Sequence, residues 1–336
     1  MSKKLGSRAP HGAWWRIGLL AAVLALSMWL GLRFGSAHMS TDAFLGGLFG
    51  REGYEIQRVV LYAVRLPRVL AGVVVGTGLG LSGLLLQAVT DNALAAPNII
   101  GVNAGAGLAI VLMLFFVPAA DALTPLFAFV GAFLTALVIL ALAHRAGGGK
   151  SAIVLAGVAM TALLGAGISC FTYADADLLS SYHAFSIGGF GGVTLAVLAV
   201  PAAAITLCAA ACFLLGNRID LLCLGETGAA SLGVRVRALR LGCVLLASAL
   251  AACAVSVAGL LGFVGLIVPH VSRRFCRTGT RWQTLCTALL GANVCVLGDL
   301  VGRVVASPTE IPVGIVMALV GAPFFLVLLL RRGRML

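Results

Sequence analysis

The chain has 336 residues, 61% of them hydrophobic and 10% charged, with a formal net charge of +12 and a mean hydropathy of +1.11. No soluble core hides that much apolar surface, so lipid is the solvent and a soluble globular fold is excluded. The basic residues fall in short clusters between apolar runs, which is a topology signal rather than a nucleic-acid-binding surface.

Backbone groups in hydrocarbon must bond internally, so spans of about 20 residues predict helices, and no strand alternation is present. Candidate spans are residues 16–35, 66–89, 98–117, 123–143, 152–173, 193–215, 239–259, 261–276, 283–302 and 312–331. They make one all-α polytopic domain over 1–336, with residues 1–15 as a cytoplasmic tail. The start is like a signal peptide, but its apolar stretch is long and lacks a clear cleavage site, which predicts a retained first span. With the N-terminus in the cytoplasm, ten spans bring the C-terminus there too. All but six of the 23 basic residues then lie inside, the exceptions being Arg33, Arg51, Arg58, Arg65, Arg68 and Arg303. Four of these crowd into 51–68, where they either snorkel to headgroups or meet something acidic.

In the second span, Gly72, Gly76 and Gly80 form a ladder that lets helix backbones approach closely. Gly80-Leu81-Ser82-Gly83 fits an intramembrane serine protease pattern with His270 as its base, but on this topology the two lie apart, and a packed serine is favoured. Gly147-Gly148-Gly149-Lys150-Ser151 resembles the end of a P-loop, yet His144 stands where glycine is needed and no strand precedes it, so any ATP hydrolysis would have to come from another subunit. Asp91, Asp299 and His270 lie near span ends, which leaves a proton relay unsupported; Asp299 is placed to pair with Arg303 one turn on. Residues 216–238 are the longest polar cytoplasmic segment; a solvated loop would explain it, and so would short helices broken by glycine that offer apolar side chains to a soluble partner. Pro269 interrupts the short eighth span. Arg65, Arg68 and Pro97 are echoed 172 residues later by Arg237, Arg240 and Pro269, a hint of an inverted repeat. The nine cysteines contain no CxxC pair and are read as small buried hydrophobes.

Four motifs then stand in order. The first runs from Arg65-Leu66-Pro67-Arg68 through Gly83-Leu84-Leu85-Leu86-Gln87 to Asn92-Ala93-Leu94-Ala95-Ala96-Pro97-Asn98-Ile99-Ile100-Gly101-Val102. The second is Leu224-Gly225-Glu226-Thr227 through Ala230-Ser231-Leu232-Gly233-Val234, and the third Gly262-Phe263-Val264-Gly265-Leu266-Ile267-Val268-Pro269-His270. The fourth is Glu310-Ile311-Pro312-Val313-Gly314 through Gly321-Ala322-Pro323-Phe324-Phe325. Over residues 60–330 the chain resembles the FecCD-type permeases of ABC importers for ferric siderophores, haem and cobalamin.

That resemblance implies a type II importer permease fold, and two such ten-span subunits, identical or related, with a pathway between them. It implies two cytoplasmic ATPases that bind ATP and magnesium, and an extracytoplasmic substrate-binding protein. This chain would hold no cofactor or metal and do no covalent chemistry. Residues matching the family's ATPase-coupling segment are Leu224, Gly225, Glu226, Thr227, Ala230, Ser231, Leu232 and Gly233. Those matching its binding-protein docking arginines are Arg65, Arg68 and Arg303, and the gate or pathway candidates are Gln87, Asn92, Pro97, Asn98, Gly101, Pro269 and His270. Ala93 and Ala96 depart from the family pattern at a cytoplasmic turn, and Phe185-Ser186-Ile187-Gly188-Gly189-Phe190 departs at the outer mouth, which leaves the cargo open. The competing readings are a secondary transporter that needs no ATPase and the intramembrane protease.

Overall fold

The computed structural model describes residues 13–147, 150–222, 225–276 and 278–333, and among them the chain is helical with no strand. The helices are α1 (Ala13–Arg33), α2 (Thr41–Phe49), α3 (Glu55–Val59), α4 (Leu66–Thr90), α5 (Val102–Phe116), α6 (Thr124–Arg145) and α7 (Lys150–Ala174). They continue as α8 (Ala176–Ile187), α9 (Leu195–Leu222), α10 (Gly225–Ser231), α11 (Val236–Ala258), α12 (Val264–Phe275), α13 (Thr280–Val305) and α14 (Val313–Gly333).

Each of the ten expected spans coincides with a helix. Seven are long and apolar enough to cross a bilayer: α1, the continuous Glu55–Thr90 rod that ends in α4, α6, α7, α9, α11 and α13. The apolar parts of α5 and α14 are shorter. α12 has 12 residues, roughly 18 Å at 1.5 Å per residue, well short of a ~30 Å hydrocarbon layer.

At the centre stands α4. It packs most extensively against α13 and α11, then α12 and α9, and its buried residues lie on every face. The glycine ladder is the reason α13 comes so close. A Cβ on Gly72 would press on Val296, one on Gly76 would overlap the Gly291 carbonyl, and one on Gly80 would meet Thr287. The contacts descend α13 as they climb α4, so the two helices run antiparallel. Gly83 turns to α12 instead, where a Cβ would overlap the Gly265 carbonyl. By contrast α1, α7 and α9 bury little of their apolar surface within this chain, leaving it for lipid or another subunit.

Several expectations need correction. The second span begins eleven residues early, at Glu55, with a π-helical stretch Val60–Arg65 leading into α4. Pro269 lies inside α12 without breaking it. Its missing N–H frees the Gly265 carbonyl, and Gln87 Nε2 lies 3.4 Å from both that oxygen and the Leu266 carbonyl. The sixth span, expected to end at 215, runs on to Leu222 within α9, so the polar segment 216–238 starts inside that helix. Not all the cysteines are free hydrophobes: Cys276 and Cys286 are joined in a disulfide, whereas Cys212, Cys243, Cys253 and Cys295 are buried and free. The two prolines that hint at a repeat differ in their setting, since Pro97 opens a short 3-10 turn and Pro269 sits within a helix. The short helices α2 and α8 were not expected. Ser40 caps α2 through the Ala43 N–H, and Asp175 caps α8 through the N–H groups of Asp177 and Leu178.

Candidate functional site

Three groups of predicted residues gather at separate places. The first is charged. Where α4 begins and α13 ends, Asp299 is 2% exposed and accepts from Arg68 Nε at 3.0 and 3.1 Å, with Arg68 Nη2 at 2.9 Å. Arg303 Nε lies 3.0 Å from the other face of the same carboxylate, at ion-pair distance though without hydrogen-bond alignment. Arg68 Nη1 reaches Glu310 Oε2 at 2.6 Å, and Glu310 Oε1 accepts from Ser36 Oγ at 2.6 Å.

The remaining donors serve α1. A helix C-terminus leaves its last carbonyls unpartnered, and cations are favoured there. Arg65 donates to the carbonyls of Leu32, Arg33 and Ala37 at 2.8, 2.9 and 2.8 Å, while Arg303 Nη1 reaches those of Gly31 and Phe34 at 3.3 and 3.4 Å. Arg65, Arg68 and Arg303 are therefore buried, at 4%, 8% and 2% exposure. The pairing of Asp299 with Arg303 was legible; that with Arg68 was not. The exposed arginines at this end are Arg51 and Arg58, close in sequence to exposed Glu52 and Glu55. A cavity of about 400 Å³ opens beside the Arg68–Glu310 bridge, lined also by Phe185, Gly188, Gly189 and Phe190. It is bordered by the segment in which the sequence departs from the family pattern.

The second group joins the end of α4 to α12. Gln87 is 2% exposed, its amide nitrogen faces the Gly265 and Leu266 carbonyls, and its Oε1 has no partner. Pro97 packs on Gly265. Asn98 is exposed and accepts from Asn103 Nδ2 at 3.1 Å. Asn92 closes a turn by accepting from the Leu94 N–H, and Gly101 holds φ +70° at the start of α5. Pro269 is buried, whereas the His270 ring stands edge-on to Phe324 at 5.9 Å. Gln87, Pro97 and Pro269 thus converge on Gly265, and Asn92 shapes the adjoining turn.

The third group is the expected coupling segment. Leu224 lies outside the described residues, as do the side chains of Glu226, Thr227 and Ala230. The others belong to α10 and its exit: Gly225 has φ +84°, Ser231 donates to the Gly228 carbonyl, and Gly233 has φ +77°. Ala229 is fully buried and anchors the helix, while Leu232 is 59% exposed.

The protease reading finds no support in the site. Ser82 is fully buried and its hydroxyl donates to the Ala247 carbonyl at 2.6 Å, so it packs as a helix-bridging serine. Ser82→Ala is expected to cost about 1 kcal/mol of stability and to leave transport intact; loss of transport with normal membrane levels would count against this.

The model of the FecCD transport family matches residues 23–331. The chain belongs to the FecCD transport family. The hemin transport system permease protein of Yersinia pestis is 36% identical over 80% of this chain and 82% of its own length. The vitamin B12 import system permease protein of Vibrio vulnificus is 34% identical over 94% of this chain and 95% of its own. A solved structure, provisionally described as a metal-chelate type ABC transporter in an inward-facing conformation, superposes with a TM-score of 0.82 at 31% identity, covering 94% of this chain and 98% of its own. This FecCD permease is thus a multi-pass membrane transport subunit with the type II importer fold, and the Gly265 and Asp299 clusters belong to a transport machine.

Proposed function

We propose that this permease carries an iron complex, a ferric siderophore or haem in preference to cobalamin, across the bacterial cytoplasmic membrane with both termini inside. It would act with a second permease, identical or related, two cytoplasmic ATPases and an external binding protein. The observation that carries this reading is the family match along nearly the whole chain, to relatives named as haem, siderophore, citrate and vitamin B12 permeases. Supporting it, α10 is a short helix between two long spans that leaves Leu232 exposed, apolar surface suited to a soluble partner.

The mechanism is alternating access. ATP draws the ATPases together, residues 224–234 move with them, and the surrounding helices change which side is open. The test is uptake of radiolabelled ferric siderophore or haem by proteoliposomes holding the permease, with and without its ATPase. Uptake should require both ATPase and ATP; uptake by the permease alone would establish a secondary transporter. Glu226→Arg and Gly225→Pro should each uncouple hydrolysis from uptake while the protein still inserts, and unchanged uptake would remove the coupling role.

Docking of an acidic binding protein at Arg65, Arg68 and Arg303 has a specific obstacle. All three are buried, and Glu310 already holds Arg68 Nη1. A visiting carboxylate must displace that bridge, so Glu310→Gln should tighten docking by several-fold in a salt-sensitive way; an unchanged affinity would remove Arg68 from the interface. Burial alone would raise the Glu310 carboxyl, but hydrogen bonds from Ser36 and Arg68 and the charges of Arg68 and Arg303 hold it below its ordinary 4.5. The bridge is therefore complete above that ordinary value and is lost only as pH falls through the lowered folded one. Its inhibition of docking should stay constant between about pH 5 and 8.

A further inference from the structure

At the end of the bundle opposite the Asp299 cluster, α13 begins without a cap of its own. Its N-cap residue is Gly279, which has no side chain to receive an orphan N–H. The acceptor comes instead from another helix, 60 residues away in sequence. Asp220, in the last turn of α9, accepts from the Thr280 N–H at 3.0 and 3.1 Å and from Thr280 Oγ1 at 2.6 Å. Two further contacts seat the same stretch of α9 on the same turn of α13. Gly216 packs against the Arg281 backbone, where a Cβ would come within 2.6 Å, and the Arg281 guanidinium lies 4.5 Å from the centre of the Phe213 ring.

We propose that Asp220 is a positioning residue, through which displacement of α10 is passed to α13. This inference rests on the reading of residues 224–234 as the ATPase-coupling segment. Asp220 precedes α10 by five residues on the same stretch of chain. From Thr280, α13 runs 26 residues as one helix, and its close backbone contact with α4 at Gly76 and Gly291 leaves little room for sliding. Its far end carries Asp299, which holds Arg68 and is paired with Arg303. A pull on Asp220 therefore reaches the opposite charged cluster through one stiff element.

A cap and a coupling link are separable here. Gly279 has φ −63° and ψ 161°, the same values as Ser40, whose side chain caps α2. Serine at 279 would cap α13 locally, and its Cβ would stand 2.8 Å from the present position of Asp220 Oδ2, pushing that flexible carboxylate aside. The experiment uses the whole transporter in proteoliposomes and reads substrate taken up per ATP hydrolysed, with thermal stability measured in parallel. Asp220→Ala should lower the ratio about tenfold. Asp220→Ala with Gly279→Ser should recover stability yet leave the ratio low. Recovery of the ratio in that double variant would reduce Asp220 to a helix cap, and an unchanged ratio in Asp220→Ala would overturn the proposal. Should Asp220→Ala fail to assemble, Thr280→Val removes only the 2.6 Å hydroxyl bond; it should lower the ratio about threefold, and no change would likewise overturn the proposal. Gly225→Pro separates the two levels. If it uncouples and the Asp220 and Thr280 variants do not, the inference fails alone, and if it too leaves the ratio intact, the coupling-segment reading fails.

Discussion

Asp299→Ala should destabilise this permease by about 3–5 kcal/mol, the cost of stranding buried charge. The carboxylate lies between two arginines that are 8% and 2% exposed, and without it, among the described residues, Arg68 keeps Glu310 and Arg303 keeps the last carbonyls of α1. Thermal unfolding in detergent, followed by size-exclusion chromatography, should show a sharply lowered transition or no monodisperse protein. A compensated variant makes the prediction specific. Replacing Arg68, Asp299 and Arg303 together by Met, Leu and Met should recover most of the loss, because well-packed apolar groups substitute for a buried ion cluster at little cost. The carbonyls of α1 would still lack one set of donors, so recovery stays incomplete. A stable single variant, or a triple variant no better than the single one, would show that the cluster is not held together by charge.

Gly76→Val should be as damaging for a different reason. Its Cβ would fall on the Gly291 carbonyl, and a Cβ on Gly291 would fall on the Gly76 carbonyl. Backbone cannot yield as a flexible side chain does, so α4 and α13 would have to separate along the most extensive helix contact of the bundle. The expected loss is about 3 kcal/mol or more, with transport abolished. Gly242→Ala on α11, where an added Cβ meets nothing within 4 Å, should stay within about 0.5 kcal/mol of the parent. Equal behaviour of the two variants in the same unfolding assay would contradict the backbone contact.

The span pattern was legible because hydrocarbon enforces long apolar helices, and the ladder at Gly72, Gly76 and Gly80 faces a partner as its spacing promised. What failed to show was anything that depends on two distant segments meeting. Asp299 announced Arg303 through their four-residue spacing, but Arg68 lies 231 residues away and joins them only because α4 and α13 pack face to face. The arginines at the wrong end of the topology left two readings open, snorkelling to headgroups or meeting something acidic. Within this chain Arg68 and Arg303 meet Asp299, Arg68 also meets Glu310, and Arg65 and Arg303 meet carbonyls at the C-terminus of α1, and carbonyl acceptors leave no mark in a sequence. Pro269 looked like an interruption because its freed carbonyl has its neighbour, Gln87, on another helix. The end of the sixth span falls later than its expected place at 215 because α9 runs on past its apolar stretch into Asn217, Arg218 and Asp220. Two caps were there to be read: Ser40 and Asp175 each precede a helix that the apolar periodicity did not reveal. The Cys276–Cys286 pair, ten residues apart, belongs to no recognised spacing.

The brevity of α12 bears on how this permease can open. Between α11 and α12 the chain is not helical, and two backbone hydrogen bonds tie this stretch to the tail of α8: Leu260 donates to the Phe185 carbonyl at 3.2 Å, and Gly189 donates to the Ala258 carbonyl at 2.8 Å. Pulling α8 away would strand those groups, and hydrocarbon has nothing to offer them. Only water can take their place, so parting α8 from this stretch must wet it, and a dry separation would cost several kcal/mol for each amide left bare.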